Sequence, residues 1–144
     1  MQLRLSEFDF VHYDMMKFAD ETFQRFFKDD IELQDFNYAP KNEGMGWFKL
    51  KYRYKPKEYQ IVFENARLVF SIRVTDTEGY HTSLYKTEDG IEFDNGLTKE
   101  NIEIAIKYIE MEIQKEDICF YISKNNKLYK KEKGIIKRVK NPYA

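Results

Sequence analysis

Sulfur, imidazole and chain-breaking residues are all scarce in this chain. One cysteine, Cys119, stands among 144 residues. That excludes an intramolecular disulfide framework and makes a reducing compartment the natural setting. The two histidines, His12 and His81, are far apart in sequence; with a single thiol they fall short of the clustered ligands a zinc site needs. Six glycines and three prolines are too few for a linker or a low-complexity tract. No run approaches the ~20 apolar residues of a membrane helix. The opening residues, Met1-Gln2-Leu3-Arg4-Leu5-Ser6-Glu7, lack the basic and apolar regions of a secretory signal, so the expected location is the cytoplasm. There is no Walker loop and no Gly-x-Gly-x-x-Gly run. No cofactor and no metal are expected.

Aromatic residues are plentiful: 12 Phe, 11 Tyr and 1 Trp supply core material and leave tyrosine for contact surfaces. The net charge of −1 conceals a segregation. Residues 1–44 carry five basic and ten acidic groups, and residues 45–57 carry five basic groups and no acid. Residues 58–117 carry six against fourteen, and residues 118–144 carry eight against one. A near-neutral total argues against strong general affinity for nucleic acid. Two basic blocks meeting in the fold would still form one patch. Eighteen Lys and thirteen Ile against five Ala suggest an AT-rich coding sequence, as in many low-GC bacteria and their phages.

The most informative run is Phe48-Lys49-Leu50-Lys51-Tyr52-Arg53-Tyr54-Lys55. Its strict alternation predicts a strand with Phe48, Leu50, Tyr52 and Tyr54 on one face and four cations on the other. Similar alternation predicts strands through Tyr59, Ile61 and Phe63, through Leu68, Phe70, Ile72 and Val74, and through Tyr80, Thr82 and Leu84. Turns are expected at Lys55-Pro56-Lys57, Asn65-Ala66 and Glu78-Gly79, with a hairpin at Asp89-Gly90. Connections this short predict an antiparallel meander over 47–93. Before it, 2–12 reads as strand, 14–29 as a helix capped by Asp14, and 31–46 as loop. After it, Thr98 reads as the N-cap of a helix over 98–115 whose stripe is Ile102, Ala105, Ile106, Ile109 and Ile113. Ile118–Ile122 reads as a compact strand, Asn125-Asn126 as a turn, and 130–144 as a basic, loose tail.

The expected fold is thus α+β, one domain over 1–144, with an antiparallel β-meander sheet packed by two α-helices. Leu68, Phe70, Ile72 and Val74 are expected to face Ile102, Ile106 and Ile109.

Catalytic chemistry finds little support. Cys119 lies in an apolar strand, where a thiol is usually an inert small hydrophobe. His81 and Ser83 share a strand face but lack a nucleophile-elbow context. Glu88, Asp89, Glu92 and Asp94 do not follow the pattern of an EF-hand loop. The expectation is a small non-catalytic protein-binding chain, such as an inhibitor or immunity-type protein of a phage or mobile element. Its partner-binding residues are expected to be Lys49, Lys51, Arg53, Lys55, Tyr59, Lys127, Lys130 and Lys131. Segregated charge suits steered association with one protein. The first alternative is a single-stranded nucleic-acid or RNA-binding protein using 47–57 and 124–140, which requires aromatics beside the cations. The second is a small enzyme with no recognisable motif.

Overall fold

Met16, Ala19, Phe23 and Phe27 recur at helical spacing and form the buried stripe of α1 (Tyr13–Phe27). A computed structural model describes this helix within residues 12–39, 46–83, 94–115 and 118–140. Asp14 lies inside the first turn, where its charge complements the helix dipole; it is not the cap. Lys28 adopts a left-handed φ of 52° and ends the helix. A short 3-10 turn, Lys28–Asp30, leads into the sheet.

Among the described residues the sheet has eight strands in the order of the chain: β1 (Ile31–Tyr38), β2 (Trp47–Tyr54), β3 (Tyr59–Ala66), β4 (Val69–Thr75), β5 (His81–Ser83), β6 (Phe120–Lys124), β7 (Lys127–Glu132) and β8 (Ile135–Val139). Every neighbouring pair is antiparallel. Helix α2 (Lys99–Lys115) is inserted between β5 and β6. Thr98 caps it: its Oγ1 accepts from the Asn101 N–H at 3.2 Å, and Glu100 places negative charge in the first turn. The architecture is α+β, one antiparallel meander sheet with two helices.

The core lies between the helices and the inner face of the sheet. Phe48, Leu50, Tyr52 and Tyr54 of β2 are buried, as are Ile61 and Phe63 of β3 and Phe70, Ile72 and Val74 of β4. The α2 stripe Ile102, Ala105, Ile106, Ile109 and Ile113 closes the same cluster. Rings order its centre. Phe63 stacks between Phe48 and Phe70, with centroids at 5.6 and 5.2 Å, and meets Phe23 of α1 edge-on at 6.1 Å. Polar groups are built into it as well. Asn65 accepts from the Phe48 N–H at 2.6 Å and donates to the Arg67 carbonyl at 2.9 Å. The Tyr52 hydroxyl donates to Asp20 of α1 at 2.6 Å. Burial, then the Asp20 charge, holds the Tyr52 phenol well above its usual 10.0.

Four further expectations need correction. Residues 31–38, read as loop, are strand β1. A bulge between Leu33 and Asp35 shifts the register, so the buried residues do not alternate along its length. Leu68, expected in the core beside Phe70, is 61% exposed because it sits in the turn between β3 and β4. Asn65 and Ala66 are strand residues, and that turn is Arg67-Leu68. Residues 130–139, read as loose tail, are held by ladder pairing to β6 and within the β7–β8 hairpin. The strand read over 2–12 falls, but for His12, outside the described residues, as do the Asp89-Gly90 hairpin and Leu84.

Candidate functional site

Both helices cover the inner face, and among the described residues no helix covers the outer face of the sheet. One cross-strand row on it runs through every strand: Glu32, Arg53, Gln60, Thr75, His81, Tyr121, Lys130 and Lys137. Lys49, Lys51 and Arg53 lie on this face, as the alternation of β2 predicts, while Tyr52 and Tyr54 are in the core. Burial, then Asp30 and Glu110, pushes the Tyr54 phenol up.

Register gives each of these β2 cations an acid on a neighbouring strand. Arg53 stands opposite Glu32, Lys51 opposite Asp35, and Lys49 opposite Glu64. Arg53 also approaches Glu58 at 3.3 Å. Cross-strand pairs of opposite charge stabilise a sheet modestly and cancel its field at short range. Arg53 is the β2 cation that forms ion pairs, with Glu32 at 4.0 Å and Glu58 at 3.3 Å. Lys55 is exposed in the turn after β2. Trp47, 45% exposed, is the large ring on the cationic face of β2.

The second basic block lies elsewhere. β2 and β7 are five strand steps apart, about 24 Å along the sheet at the usual inter-strand spacing. Lys130 shares the outer face and pairs with Glu132 at 3.3 Å. Lys127 is exposed at the start of β7. Lys131 points to the inner side, where Asp76 and Glu78 accept from its ammonium at 3.0 and 2.6 Å. The hydrogen bond to Glu78, helped by Asp76, raises its pKa above the usual 10.5. Asp76 also organises the turn before β5, accepting from the Glu78 and Tyr80 N–H groups, both at 2.9 Å.

Among the described residues the eighth strand closes the order of the sheet and has a neighbour on one side only. Ile135 and Ile136 are 61% and 48% exposed, at the start of that edge, and Lys137 and Arg138 follow them. Sequence periodicity passes over these residues because neither side of the strand is buried. The signal that finds them is Lys133-Gly134, a two-residue turn with both φ values positive, 49° and 82°.

Tyr59 and Lys131 meet at a different place. They line a cleft of 570 Å³ at one end of the inner face, bounded also by Lys57, Lys115, Lys133 and Phe120. The Tyr59 ring meets Phe120 edge-on at 5.2 Å and stacks on Tyr54 at 6.0 Å.

His81 lies on the outer face of β5, opposite Thr75. Cys119 is 8% exposed. Among the described residues no group of three or more His, Cys, Asp or Glu is placed to hold a metal ion, and no helix is long and apolar enough to cross a membrane. Comparison with known protein families, with curated proteins and with solved structures gives no match.

Proposed function

We propose that this chain is a non-catalytic protein-binding module that docks an acidic partner along β8 and the adjoining outer face. The observation that carries the reading is the make-up of that edge. A terminal strand offers unpaired main-chain groups to an incoming strand. Here the same strand presents two exposed isoleucines as apolar anchors, with Lys137 and Arg138 beside them. Main-chain pairing would supply affinity, Ile135 an apolar anchor on the outer face and Ile136 one on the opposite side of the strand, and the cations the attraction that speeds encounter. Lys127 and Lys130 widen that basic margin. An inhibitor or immunity-type role in the cytoplasm, as in a phage or mobile element, is the form of this reading that composition favours.

A nucleic-acid reading draws on Trp47 beside Lys49. Against it stand the acids facing the β2 cations and the burial of Tyr52 and Tyr54, which removes the tyrosines from any stacking platform. The test is an affinity capture from nuclease-treated and untreated lysate, with wild type and an Ile135→Asp, Ile136→Asp variant. We expect one acidic protein retained after nuclease treatment and lost with the variant, whose melting temperature should be close to wild type. Capture that disappears with nuclease, joined to a salt-sensitive gel shift of single-stranded oligonucleotides, would favour the nucleic-acid reading instead.

A further inference from the structure

The two edges of the sheet carry charge of opposite sign. Among the described residues β1 and β8 each have a strand neighbour on one side only. β1 holds Glu32 and Asp35 and no cation, and Asp29 and Asp30 precede it. β8 holds Lys137 and Arg138 and no acid, and Lys140 follows it. Glu32 and Asp35 lie on the outer face, with Phe36 half-buried on the inner side. Arg53 reaches Glu32 only at 4.0 Å and leaves its side chain 45% exposed. Asp35 accepts locally, from the Phe36 N–H and the Asn37 side-chain amide, and stays exposed. Lys137 shares the outer face, while Ile136 points to the inner side. Like charges directly opposite one another destabilise a strand pair, and opposite charges favour it. Two β8 edges would set Lys137 and Arg138 against their own copies, and two β1 edges would do the same with Glu32 and Asp35. Charge therefore favours the meeting of unlike edges.

We propose that the acidic partner of β8 is the β1 edge of a second copy of this chain, so that copies join head to tail. This rests on the reading of β8 as the docking strand and names its occupant. Strand direction permits the join. Every neighbouring pair is antiparallel, so the last of the eight strands runs against the first. A copy set beside the first by translation, with the twist of the sheet, continues an antiparallel ladder and keeps its helices on the same face. Side-chain faces agree in the register that sets Lys137 opposite Asp35. Both then lie on the outer face, Ile136 meets Phe36 on the inner side, and Ile135 stands opposite Asn37. Such a contact uses a different patch on each copy, and every added copy leaves one β1 edge and one β8 edge for the next.

Sedimentation velocity of the purified full chain at rising concentration tests the proposal. Wild type should form species beyond the dimer, and added salt should weaken them. Glu32→Lys with Asp35→Lys makes both edges basic, and Lys137→Glu with Arg138→Glu makes both acidic. Each variant alone should stay monomeric where wild type associates, with a melting temperature near wild type. Their equimolar mixture should regain association, because each reversed edge then meets its complement. In wild type, amide exchange in both β1 and β8, and not in β4, should slow as concentration rises; this readout needs no substitution. A chain that stays monomeric up to about 1 mM, the edge of useful affinity, would overturn the proposal. So would assembly that stops at a dimer and survives in Glu32→Lys, Asp35→Lys, which assigns the contact to two β8 edges. A monomeric chain that still captures an acidic protein through Ile135 and Ile136 overturns this occupant alone. Capture and association both indifferent to the Ile135→Asp, Ile136→Asp variant overturn the docking strand as well.

Discussion

Tyr52→Phe removes one oxygen atom from the centre of the molecule and tests the bond that ties α1 to β2. The Tyr52 ring is fully buried against Phe23, with centroids 4.5 Å apart, and its hydroxyl donates to Asp20 at 2.6 Å. Phenylalanine keeps the packing and deletes the donor. Hydrogen bonds to charged groups contribute about 1.5–3 kcal/mol. Asp20 is only partly buried and recovers water when the donor is lost. The loss should therefore fall near the lower end, about 1.5 kcal/mol, seen in urea unfolding as a lower midpoint with an unchanged slope. The pH dependence is the sharper readout. Burial, then Asp20, raises the Tyr52 phenol above its unfolded value of 10.0. The folded state thus holds this proton more tightly than the unfolded chain does. The resulting stability is fully present below pH 10 and declines as pH rises above that toward the folded value. Wild type should lose stability above pH 10 more steeply than Tyr52→Phe under identical conditions. Equal alkaline slopes, with midpoints that coincide at pH 7, would refute the bond and its placement in the core.

Four further outcomes follow from the packing. Phe63→Ala removes the ring that Phe48, Phe70 and Phe23 all touch, and should destabilise by about 3–5 kcal/mol in chemical denaturation; Phe70→Ala belongs in the same range. Asn65→Leu leaves the Phe48 N–H without its acceptor inside the core and should cost about 1–3 kcal/mol, although leucine is the more apolar residue. Cys119 should react with a thiol reagent far more slowly in the native protein than in urea, because it is nearly inaccessible; equal rates would contradict that burial.

The central strands and α2 were legible because their residues meet a sharp boundary between core and water. Phe48, Leu50, Tyr52 and Tyr54 on one side of β2, with Lys49, Lys51 and Arg53 on the other, permit one register only. The α2 stripe is as clear at the helical period. The margins of the sheet obey a weaker rule. In β1 the bulge moves the apolar set from Ile31 and Leu33 to Phe36 and Tyr38, so no single period spans the strand. In β8 no face is buried, and hydrogen bonding to β7 replaces apolar contrast as the organising force. The candidate sites were legible in part for the same reason. The cations of β2 were visible, but their acid neighbours Glu32, Asp35 and Glu64 come from other strands and become partners only through register. The union of Tyr59 with Lys131 depends on β6 and β7 joining the sheet after α2 has crossed it, which local pattern cannot express.

That late joining has a kinetic consequence. β1 to β5 are linked by successive short loops, and β6 to β8 are linked in the same way. Among the described residues the register between the two groups is the pair His81 with Tyr121. The Lys131 bridges to Asp76 and Glu78 lie beside this seam and act as a clasp. Amide hydrogen exchange should therefore divide the molecule at the seam, with β6 to β8 opening together and more often than β2 to β4. In refolding, the local hairpins should form first, and docking of the C-terminal three strands onto β5 should come last, because it alone must close a long loop. Lys131→Met would release the clasp and speed exchange in β6 to β8 while leaving the amides of β2 to β4 at their wild-type rates.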